Sequence, residues 1–446
     1  MNKNINDSIP SKIFIKPSKL KNHTLILDTL LPGDKSISHR AYMLASICEN
    51  NSQFSNLSVA TDCQNTKITC QQLGVNITQH DGITYIKGQG KQGLKASKNI
   101  INVGNSGTGI RLLTGLLSGM PFDSQISGDE SIQNRPMSRI ITPLNQMGAK
   151  ITGVPKNKAL FAPLTIKGTS LKGISYTLPV PSAQVKSAIL FAGLYATGKT
   201  QIIEPLVSRD HSERMLRYFG ADILCKDQCI SITSAKPLIN PQENKPIVIP
   251  NDMSAAAFFI VFAACQDNCT FILRKVSANP QRMKLIYILK QMGLDIIIEN
   301  EQTEMEPYCD LVINSSKLRN IEIDKSIIAQ IIDEIPILAI AGCFAKGKFE
   351  IKNAKELRVK ESDRIHAMVQ LLQNMGAVVN ETEDGFSFEG PVKIKDFSCD
   401  SMGDHRIAMS AIIAAHLANV EAEVNNCECI GTSFPTFLDC LAKIKV

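Results

Sequence analysis

The sequence predicts an α/β protein of two lobes, with three similar units of helices and strands in each lobe. Two observations support this fold class. Helix patterns that end in glycine return at nearly constant intervals, and so do polar residues that come directly before apolar helices. An interval that recurs this often indicates a repeated supersecondary unit.

The first series marks the ends of helices. In each member an apolar residue is followed by glycine and then by a β-like run, and successive glycines are 74, 72, 73 and 83 residues apart. Glycine just after a helix commonly adopts the left-handed conformation, so we predict a helix end at each one. The glycines are Gly74, Gly148, Gly220, Gly293 and Gly376. Three of the helices are predicted to be amphipathic: Arg135–Gly148, Ser208–Gly220 and Pro280–Gly293.

The second series marks the starts of helices, at intervals of 71, 75, 72, 79 and 71 residues. The helices that follow the last four starts are apolar on nearly every face, which is typical of buried helices. The six starts lie near Ser36, Gly107, Ser182, Ser254, Asp333 and Asp404.

A break near Ile249–Asp252 divides the six units into three and three. We therefore predict a first lobe over residues 33–250 and a second lobe over residues 1–32 together with 251–446. The last amphipathic segment, Thr436–Lys445, has no strand after it, so the N-terminal strands Lys12–Ile15 and Leu25–Leu31 are expected to complete the sixth unit. A solenoid is the alternative for a two-helix repeat, but the strand-like runs within the units disfavour it.

Composition narrows the class of protein. The chain has 446 residues, a formal net charge of +6 and 13 cysteines. The charge excess is small and dispersed, which favours small anionic ligands over nucleic acid. The cysteines lack zinc-finger spacing, so we expect reduced structural thiols. No apolar run reaches the roughly 18 residues of a membrane span, and Met1–Lys12 is polar, so we expect a cytoplasmic protein with no membrane partner.

Polar residues concentrate at the starts of the buried helices, beginning with Pro32–Arg40. Pro-Gly ends the preceding element, and apolar residues then recur at helical spacing. Lys35, Ser36 and Arg40 therefore lie at or near a first helical turn, where free N–H groups and the helix dipole favour an anion. The alternative is a capped core helix with two cations on its surface.

The next helix starts carry similar chemistry. Gly107 lies in a glycine-rich start that lets the backbone approach a ligand closely, with a simple tight turn as the alternative. Pro136, at a first helical turn, places Arg135 at an N-cap. Ser182, in Ser182-Ala183-Gln184, is by default only a cap. Arg209 opens a charged turn that either contacts a substrate or is only solvated.

Carboxylates appear at the fifth start and in the segment after it. Asp333 is either a helix cap or a general base. Lys360, Glu361 and Arg364 fall on adjacent faces of a predicted helix start, at i, i+1 and i+4, and a solvated charged face is the alternative. Arg406 lies at the sixth start.

Two kinds of site are disfavoured. Gly193–Thr200 has the letters of a P-loop, but that motif needs a strand before it and a helix after it. Here the sequence predicts an apolar helix first and a strand second. The seven histidines are isolated and form no i, i+4 pair, so we expect no metal site.

Taken together, these motifs resemble those of the EPSP synthases, which are 3-phosphoshikimate 1-carboxyvinyltransferases. In chain order the motifs are PGDKSISHR, NSGTGIR, NRPM, PSAQVKSA, SRDHSE, IDEIP, RVKESDRI and GDHRIAM. The resemblance covers nearly the whole chain. It implies two lobes, each of three βαβαββ repeats around buried helices that point at a cleft, an architecture known as an inside-out α/β barrel.

The resemblance also implies site residues, carried over motif by motif. Shikimate-3-phosphate would contact Lys35, Ser36, Arg40, Ser182, Ala183, Gln184, Arg209, Asp333 and Lys360. Phosphoenolpyruvate would contact Lys35, Gly107, Arg135, Gln184, Arg364 and Arg406. The catalytic residues would be Asp333, Glu361 and Lys35. No cofactor is implied, because phosphoenolpyruvate already carries the activated enol, and a monomer is expected.

Departures from the family pattern and alternatives to the family function complete the prediction. Thr432 stands where many members have Lys, so no C-terminal cation is carried over. Gly107 matches a position where Ala confers glyphosate tolerance, so Gly predicts ordinary sensitivity.

One alternative to the family function is a UDP-amino-sugar enolpyruvyl transferase, which uses a loop Cys, whereas this chain has none between Cys70 and Cys225. The other is a non-enzymatic repeat scaffold that binds an anionic partner.

Overall fold

The computed structural model describes residues 9–18, 20, 23–27 and 30–444. The chain divides into two compact units, Gly33–Ile249 and Met1–Pro32 with Pro250–Val446. They are named here the continuous unit and the discontinuous unit.

The chain begins with two strands of the discontinuous unit, β1 (Lys12–Ile15) and β2 (Thr24–Leu27). The helices of the continuous unit are α1 (Lys35–Ser46), α2 (Thr61–Gln72), α3 (Gly107–Leu117), α4 (Glu130–Gln133), α5 (Ser138–Gln146), α6 (Ala183–Gly193) and α7 (His211–Tyr218). Its strands are β3 (Ser52–Ser55), β4 (Ile77–His80), β5 (Ile83–Ile86), β6 (Ile101–Asn102), β7 (Ser124–Ser127), β8 (Lys150–Lys156), β9 (Ala159–Lys167), β10 (Ser175–Thr177), β11 (Thr200–Ile203), β12 (Asp222–Lys226), β13 (Cys229–Thr233) and β14 (Ile247–Val248).

The remainder of the discontinuous unit follows the same alternation of helices and strands. Its helices are α8 (Met253–Cys265), α9 (Lys284–Gln291), α10 (Ile328–Ile331), α11 (Ile335–Phe344), α12 (Arg364–Met375), α13 (His405–Ala418) and α14 (Phe437–Ile444). Its strands are β15 (Thr270–Ser277), β16 (Asp295–Thr303), β17 (Pro307–Asn314), β18 (Gly347–Ile351), β19 (Asn380–Thr382), β20 (Gly385–Gly390), β21 (Phe397–Asp400) and β22 (Ala422–Asn425). Short 3₁₀ helices lie at Lys325–Ile327, Lys355–Val359 and Cys427–Thr432.

The sheets repeat one pairing pattern. In the continuous unit the strand orders are β14-β3-β5-β4, β6-β7-β9-β8 and β10-β11-β13-β12, and each sheet has one parallel pair followed by two antiparallel pairs. The sheet β2-β15-β17-β16 of the discontinuous unit has the same pattern. The other two sheets there are β18-β20-β19 and β1-β22-β21. The mixed α/β class is confirmed.

The two N-terminal strands complete different sheets, which corrects the prediction that both join the sixth unit. β1 pairs antiparallel with β22, from Lys12 opposite Asn425 to Ile15 opposite Ala422. β2 instead pairs in parallel with β15 in the fourth sheet, with Thr24 opposite Thr270. Of the predicted strand Leu25–Leu31, the structure gives β2 as Thr24–Leu27 and places Leu30 and Leu31 outside any strand, while residues 28 and 29 lie outside the described residues.

The helices follow both series read from the sequence. All five glycines of the first series have positive φ, between +81° and +107°, which confirms the predicted helix ends. The buried helices form the core of each unit, and residues Met253–Ala264 of α8 are buried without exception. Within the described part of the chain, no single helix has the length and apolar character needed to cross a membrane; residues 325–331 and 335–344 meet that test only as a pair bent by 114°.

Candidate active site

In the continuous unit, α1 presents the first set of predicted residues. Asp34 is the N-cap, accepting a hydrogen bond of 3.0 Å from the backbone N–H of Ile37, so Lys35 and Ser36 form the first turn. The Lys35 ammonium lies 3.1 Å from Oδ2 of Asp62. Arg40 is only 3% exposed, so the alternative of a surface cation is wrong for this residue.

Arg40 ties three helices together through its guanidinium group. Its Nε donates to Oγ of Ser212 at 2.7 Å, and one terminal nitrogen donates to Oγ of Ser187 at the same distance. The other terminal nitrogen donates to the carbonyl of Ser36 at 2.8 Å. These bonds hold α1 against α6 and the start of α7.

His39 links α1 to α2 and α3. Its Nδ1 lies 2.7 Å from Oγ1 of Thr66, and its Nε2 lies 3.3 Å from Oγ of Ser106, the N-cap of α3. Burial, with the nearby charges of Lys35 and Arg40, lowers the pKa of His39 to about 3. A neutral ring donates at one nitrogen and accepts at the other, and a hydroxyl can take either role, so this bridge forms without a charge on the ring.

The structure brings Gly107, Arg135 and Gln184 together around Arg111. Arg111 donates from Nη1 to Oε1 of Gln184 at 2.9 Å and to the carbonyl of Gly107 at 3.0 Å. A Cβ placed on Gly107 would lie 2.9 Å from Nη1 of Arg111 and 3.0 Å from Nη1 of Arg135. Glycine therefore leaves the space in which two guanidinium groups converge at the start of α3.

Arg135 is not at an N-cap, which corrects the prediction made from Pro136. The helix begins at Ser138 with Met137 as its cap, and Arg135 lies between α4 and α5. The guanidinium donates to Oδ1 of Asn105 and to Oγ of Ser131, both at 2.9 Å. Side-chain contacts with nearby Ser131 and with Asn105, which is distant in sequence, position this arginine, and a helix cap does not.

The third helix start agrees with the sequence prediction. Ser182 is the N-cap of α6 and accepts from the backbone N–H of Val185 at 3.3 Å. Ala183 and Gln184 form the first turn, and Nε2 of Gln184 donates to Oγ1 of Thr108 at 3.0 Å. Arg209 lies two residues before α7 and is partly buried.

The P-loop letters at Gly193–Thr200 fall on the end of α6 and the start of β11. The order of elements is therefore helix and then strand, which is opposite to that of a P-loop.

Sequence analysis did not single out a buried ion triad below this start. The ammonium of Lys186 lies 2.8 Å from Oε2 of Glu204 and 2.7 Å from Oε1 of Glu213. Burial opposes the charge of Lys186, but the two carboxylates more than offset it and raise its pKa. A lysine inside the otherwise apolar run after Ser182 was the available signal, because a buried ammonium requires carboxylate partners.

In the discontinuous unit, Asp333, Lys360, Glu361 and Arg364 form one cluster. The Asp333 Oδ1 atom lies 3.3 Å from Nη1 of Arg364 and 3.5 Å from the Lys360 ammonium. Arg364 also contacts Glu361 through Nη2. Arg364 is 1% exposed, and the carboxylates of Asp404, Glu361 and Asp333 overcome the effect of burial and raise its pKa.

The secondary structure around this cluster differs from the prediction. α12 begins at Arg364 itself, with Asp363 as its N-cap, so Lys360 and Glu361 lie before the helix rather than on its faces. α11 begins at Ile335 and is preceded by Glu334, so Asp333 lies before the helix and does not cap it. Contacts with Asp333, and not a shared helix face, bring Lys360 and Arg364 together.

A second network joins three helix starts of this unit through Glu334, which is 3% exposed. Ser254, in the first turn of α8, donates to Oε1 of Glu334. The same oxygen lies 3.6 Å from Nη1 of Arg282 and 3.9 Å from Nη1 of Arg406. Arg406 also donates to the carbonyl of Asp333 at 2.5 Å. Sequence analysis missed Arg282, although it lies in the first turn of the predicted helix Pro280–Gly293, where its position was the available signal.

In the C-terminal segment, Thr432 stands where the resemblance led us to look for Lys. Thr432 ends a 3₁₀ helix, and its hydroxyl donates to the carbonyl of Cys429 at 2.6 Å. This side chain therefore has a local structural partner.

Each unit thus gathers several cations with carboxylates at helix starts. Such sets of Arg and Lys donors are suited to phosphate and carboxylate groups, and the neighbouring Asp and Glu are candidates for proton transfer. Among the residues that the structure describes, no group of three or more His, Cys, Asp or Glu side chains is arranged to hold a metal ion.

Comparison with known proteins covers nearly the whole chain. Residues 27–441 match the family model described as EPSP synthase (3-phosphoshikimate 1-carboxyvinyltransferase). The chain is 44% identical to the 3-phosphoshikimate 1-carboxyvinyltransferase of Petrotoga mobilis, over 97% of this chain and 99% of the relative. It is 45% identical to that of Geotalea daltonii, over 97% and 98%.

Solved structures of similar proteins also match this chain. The structure of EPSP synthase from Acinetobacter baumannii matches with a TM-score of 0.85 at 39% identity, over 97% of this chain and 98% of that one. The enolpyruvyl transferase NikO from Streptomyces tendae matches with a TM-score of 0.74, over 97% of both chains, but at 13% identity, which is a similarity of fold alone. This chain belongs to the EPSP synthase family, the 3-phosphoshikimate 1-carboxyvinyltransferases.

Proposed function

We propose that this protein transfers the enolpyruvyl group of phosphoenolpyruvate to the 5-hydroxyl of shikimate-3-phosphate, releasing phosphate, as a step of aromatic amino-acid biosynthesis. The observation that carries the proposal is family membership over residues 27–441. The cation-rich helix starts in each unit support it, because the two substrates together bring two phosphates and two carboxylates that need compensating charge.

The substrate contacts we propose follow the sequence motifs. Shikimate-3-phosphate takes Lys35, Ser36, Arg40, Ser182, Ala183, Gln184, Arg209, Asp333 and Lys360, and phosphoenolpyruvate takes Lys35, Gly107, Arg135, Gln184, Arg364 and Arg406. The contacts of Arg111 with Gly107 and Gln184 support grouping these two residues at one ligand. The contacts of Asp333 with Lys360 and Arg364 support placing it beside bound anions.

The proposed reaction is an addition followed by an elimination. The 5-hydroxyl oxygen attacks C2 of phosphoenolpyruvate and gives its proton to Asp333, while the methylene carbon C3 takes a proton from Glu361 or Lys35. The product of this addition is a tetrahedral ketal phosphate. Its C–O bond to phosphate then breaks, C3 returns a proton to the group that supplied it, Glu361 or Lys35, and the carbon–carbon double bond forms again as phosphate leaves. Base and acid in such steps typically contribute about 10²–10⁴ in rate each.

A direct assay distinguishes this proposal from its two alternatives. Phosphate release is measured with phosphoenolpyruvate and either shikimate-3-phosphate or a UDP-amino sugar. Release only with shikimate-3-phosphate supports the proposal, and release only with the UDP-amino sugar indicates the sister activity. No release with either substrate, from a folded protein, leaves a non-enzymatic anion-binding scaffold.

We further propose that the enzyme acts as a cytoplasmic monomer on small anionic substrates. Light scattering coupled to size-exclusion chromatography tests the monomer, since the mass from the sequence is 48.8 kDa. A mass near twice that value would contradict it.

A further inference from the structure

The triad of Lys186, Glu204 and Glu213 is among the most deeply buried groups of charges in the continuous unit. Its side chains are 1%, 3% and 5% exposed, and each carboxylate has an oxygen within 2.8 Å of the Lys186 ammonium. Burying ionisable groups is costly, as the pKa of Glu213, raised by burial, also indicates, and replacing such groups by apolar residues is often neutral or stabilising. Stability alone is therefore a weak explanation for the triad.

The triad fixes Ser208, the residue directly before Arg209, at the end of a loop. Oε1 of Glu204 accepts from the backbone N–H of Ser208 at 3.0 Å and also from the Ser208 hydroxyl. The Lys186 ammonium lies 3.4 Å from the carbonyl of Ser208. Between these anchors Leu206 and Val207 are 53% and 40% exposed. The loop is therefore held at its two ends, and the end that precedes Arg209 is held by the triad.

The triad also holds the helix that follows Arg209. Glu213 is in the first turn of α7, and Lys186 is on α6, so their ion pair joins the two helices. The adjacent residues form a parallel link, because the Ser212 hydroxyl donates to Oγ of Ser187 at 2.7 Å. Arg209 is thus bounded by anchored residues on both sides, at Ser208 and at α7.

We infer that Lys186, Glu204 and Glu213 are positioning residues that orient Arg209 toward the phosphate of shikimate-3-phosphate. The inference rests on the proposed function, since it assumes that Arg209 contacts this substrate. None of the three is assigned a contact with substrate. The triad fixes the backbone on both sides of Arg209, and a fixed backbone reduces the entropy that the arginine loses when it binds an anion.

The test is a double-mutant cycle read by calorimetric binding of shikimate-3-phosphate. The triad variant K186M/E204M/E213Q removes the buried charges at nearly constant volume, and it is combined with Arg209→Ala. We expect the triad variant to bind shikimate-3-phosphate about tenfold more weakly, and to add little further loss once Arg209 is absent, because coupled residues are not additive. Lys35→Met is the comparison, because Lys35 is assigned to the same substrate but is not next to the triad in the chain. Combined with the triad variant, it should give losses of affinity that add.

Controls separate positioning from a general loss of stability. Ile189→Val changes a buried residue of the same helix and should lower the melting temperature without changing affinity. If the triad variant does not fold, Ser208→Ala removes only the hydroxyl bond to Glu204, and we expect a weaker loss of affinity with the same dependence on Arg209.

Each outcome decides one of the two proposals. A wild-type protein that does not bind shikimate-3-phosphate overturns the proposed function. A wild-type protein that binds, with a folded triad variant of unchanged affinity or with losses that are additive with Arg209→Ala, overturns the positioning role alone. If Ser208→Ala is used instead, an unchanged affinity for shikimate-3-phosphate, or a loss that adds to that of Arg209→Ala, likewise overturns the positioning role.

Discussion

Arg364 and Asp404 form an ion pair from which solvent is almost completely excluded. Nε of Arg364 lies 2.7 Å from Oδ2 of Asp404, and the two side chains are 1% and 0% exposed. The same carboxylate caps α13, where Oδ1 accepts from the backbone N–H of Arg406 at 2.9 Å. One aspartate therefore positions both arginines that we assign to phosphoenolpyruvate in this unit.

The first prediction concerns that aspartate. Asp404→Ala leaves the Arg364 guanidinium buried without the one of its carboxylate partners that is itself fully buried, so we expect a loss of about 3 kcal/mol in the free energy of unfolding, measured in urea. Asp363→Ala is the matched control, because Asp363 also caps a helix and pairs with an arginine, but its side chain is 38% exposed. This control should lose only about 1 kcal/mol. Equal losses in the two variants would contradict the role of burial.

The second prediction concerns the two carboxylates assigned to proton transfer. Asp333→Ala and Glu361→Ala should each lower kcat by about 10²–10⁴, with the fold intact by circular dichroism. Glu381→Ala, which removes a partly exposed partner of Arg358, is the control and should retain wild-type turnover. Turnover near the wild-type value in Asp333→Ala or Glu361→Ala would refute that assignment.

The third prediction concerns Gly107. A Cβ there would contact the ends of the Arg111 and Arg135 side chains, which are flexible enough to move aside. Gly107→Ala should therefore fold normally, while KM for phosphoenolpyruvate rises by about tenfold because the guanidinium groups are displaced. Glyphosate should compete with phosphoenolpyruvate in the wild-type enzyme and inhibit this variant less.

Gly115→Ala provides the contrast for that experiment. A Cβ on Gly115 would lie 2.2 Å from the backbone carbonyl oxygen of Ala188 in α6. Because a backbone cannot move as a side-chain end does, this variant should lose about 1–3 kcal/mol of stability. Failure of glyphosate to compete in the wild-type enzyme would contradict the predicted sensitivity.

The fourth prediction concerns the pH dependence of stability. Burial lowers the pKa of His39 from 6.5 to about 3 in the folded state. Below pH 6.5 the unfolded chain therefore binds a proton that the folded protein does not, and the stability falls as the pH falls toward 3. From pH 7 to pH 5 this histidine alone should cost about 2 kcal/mol.

Urea unfolding at pH 7 and pH 5 tests this contribution. His39→Gln keeps hydrogen-bonding atoms at the site and has no titrating ring, so its stability should vary less between the two pH values by about 2 kcal/mol. An identical pH dependence in the variant and the wild-type protein would show that His39 is not held neutral.

Local signals in the sequence were sufficient for much of the fold. The five helix-ending glycines were identified because a left-handed residue after a helix is a local requirement that glycine meets at low cost. The buried helices were identified because they lack a polar face. The residues proposed for the site were found at helix starts and in motifs, and their roles stay predictions.

Helix boundaries around the site were less predictable. Pro136 indicated a helix start at Arg135, whereas α5 starts at Ser138. The charged run before Arg364 was expected to be helical, whereas Lys360 and Glu361 precede α12. In both places side-chain contacts with residues distant in sequence decide the local conformation, as they do for Arg135 with Asn105 and for Lys360 with Asp333.

The sequence by itself determined the α/β class, the six repeated units and the family, because each depends on short-range patterns or on motifs in a fixed order. Only the tertiary structure decided that β1 and β2 complete different sheets, that Lys186 meets two glutamates and that Arg282 reaches Glu334. These pairings join residues as much as 413 positions apart, as Lys12 and Asn425 are. Strand pairing and buried charge compensation depend on which surfaces meet when the chain packs, and no local pattern specifies that.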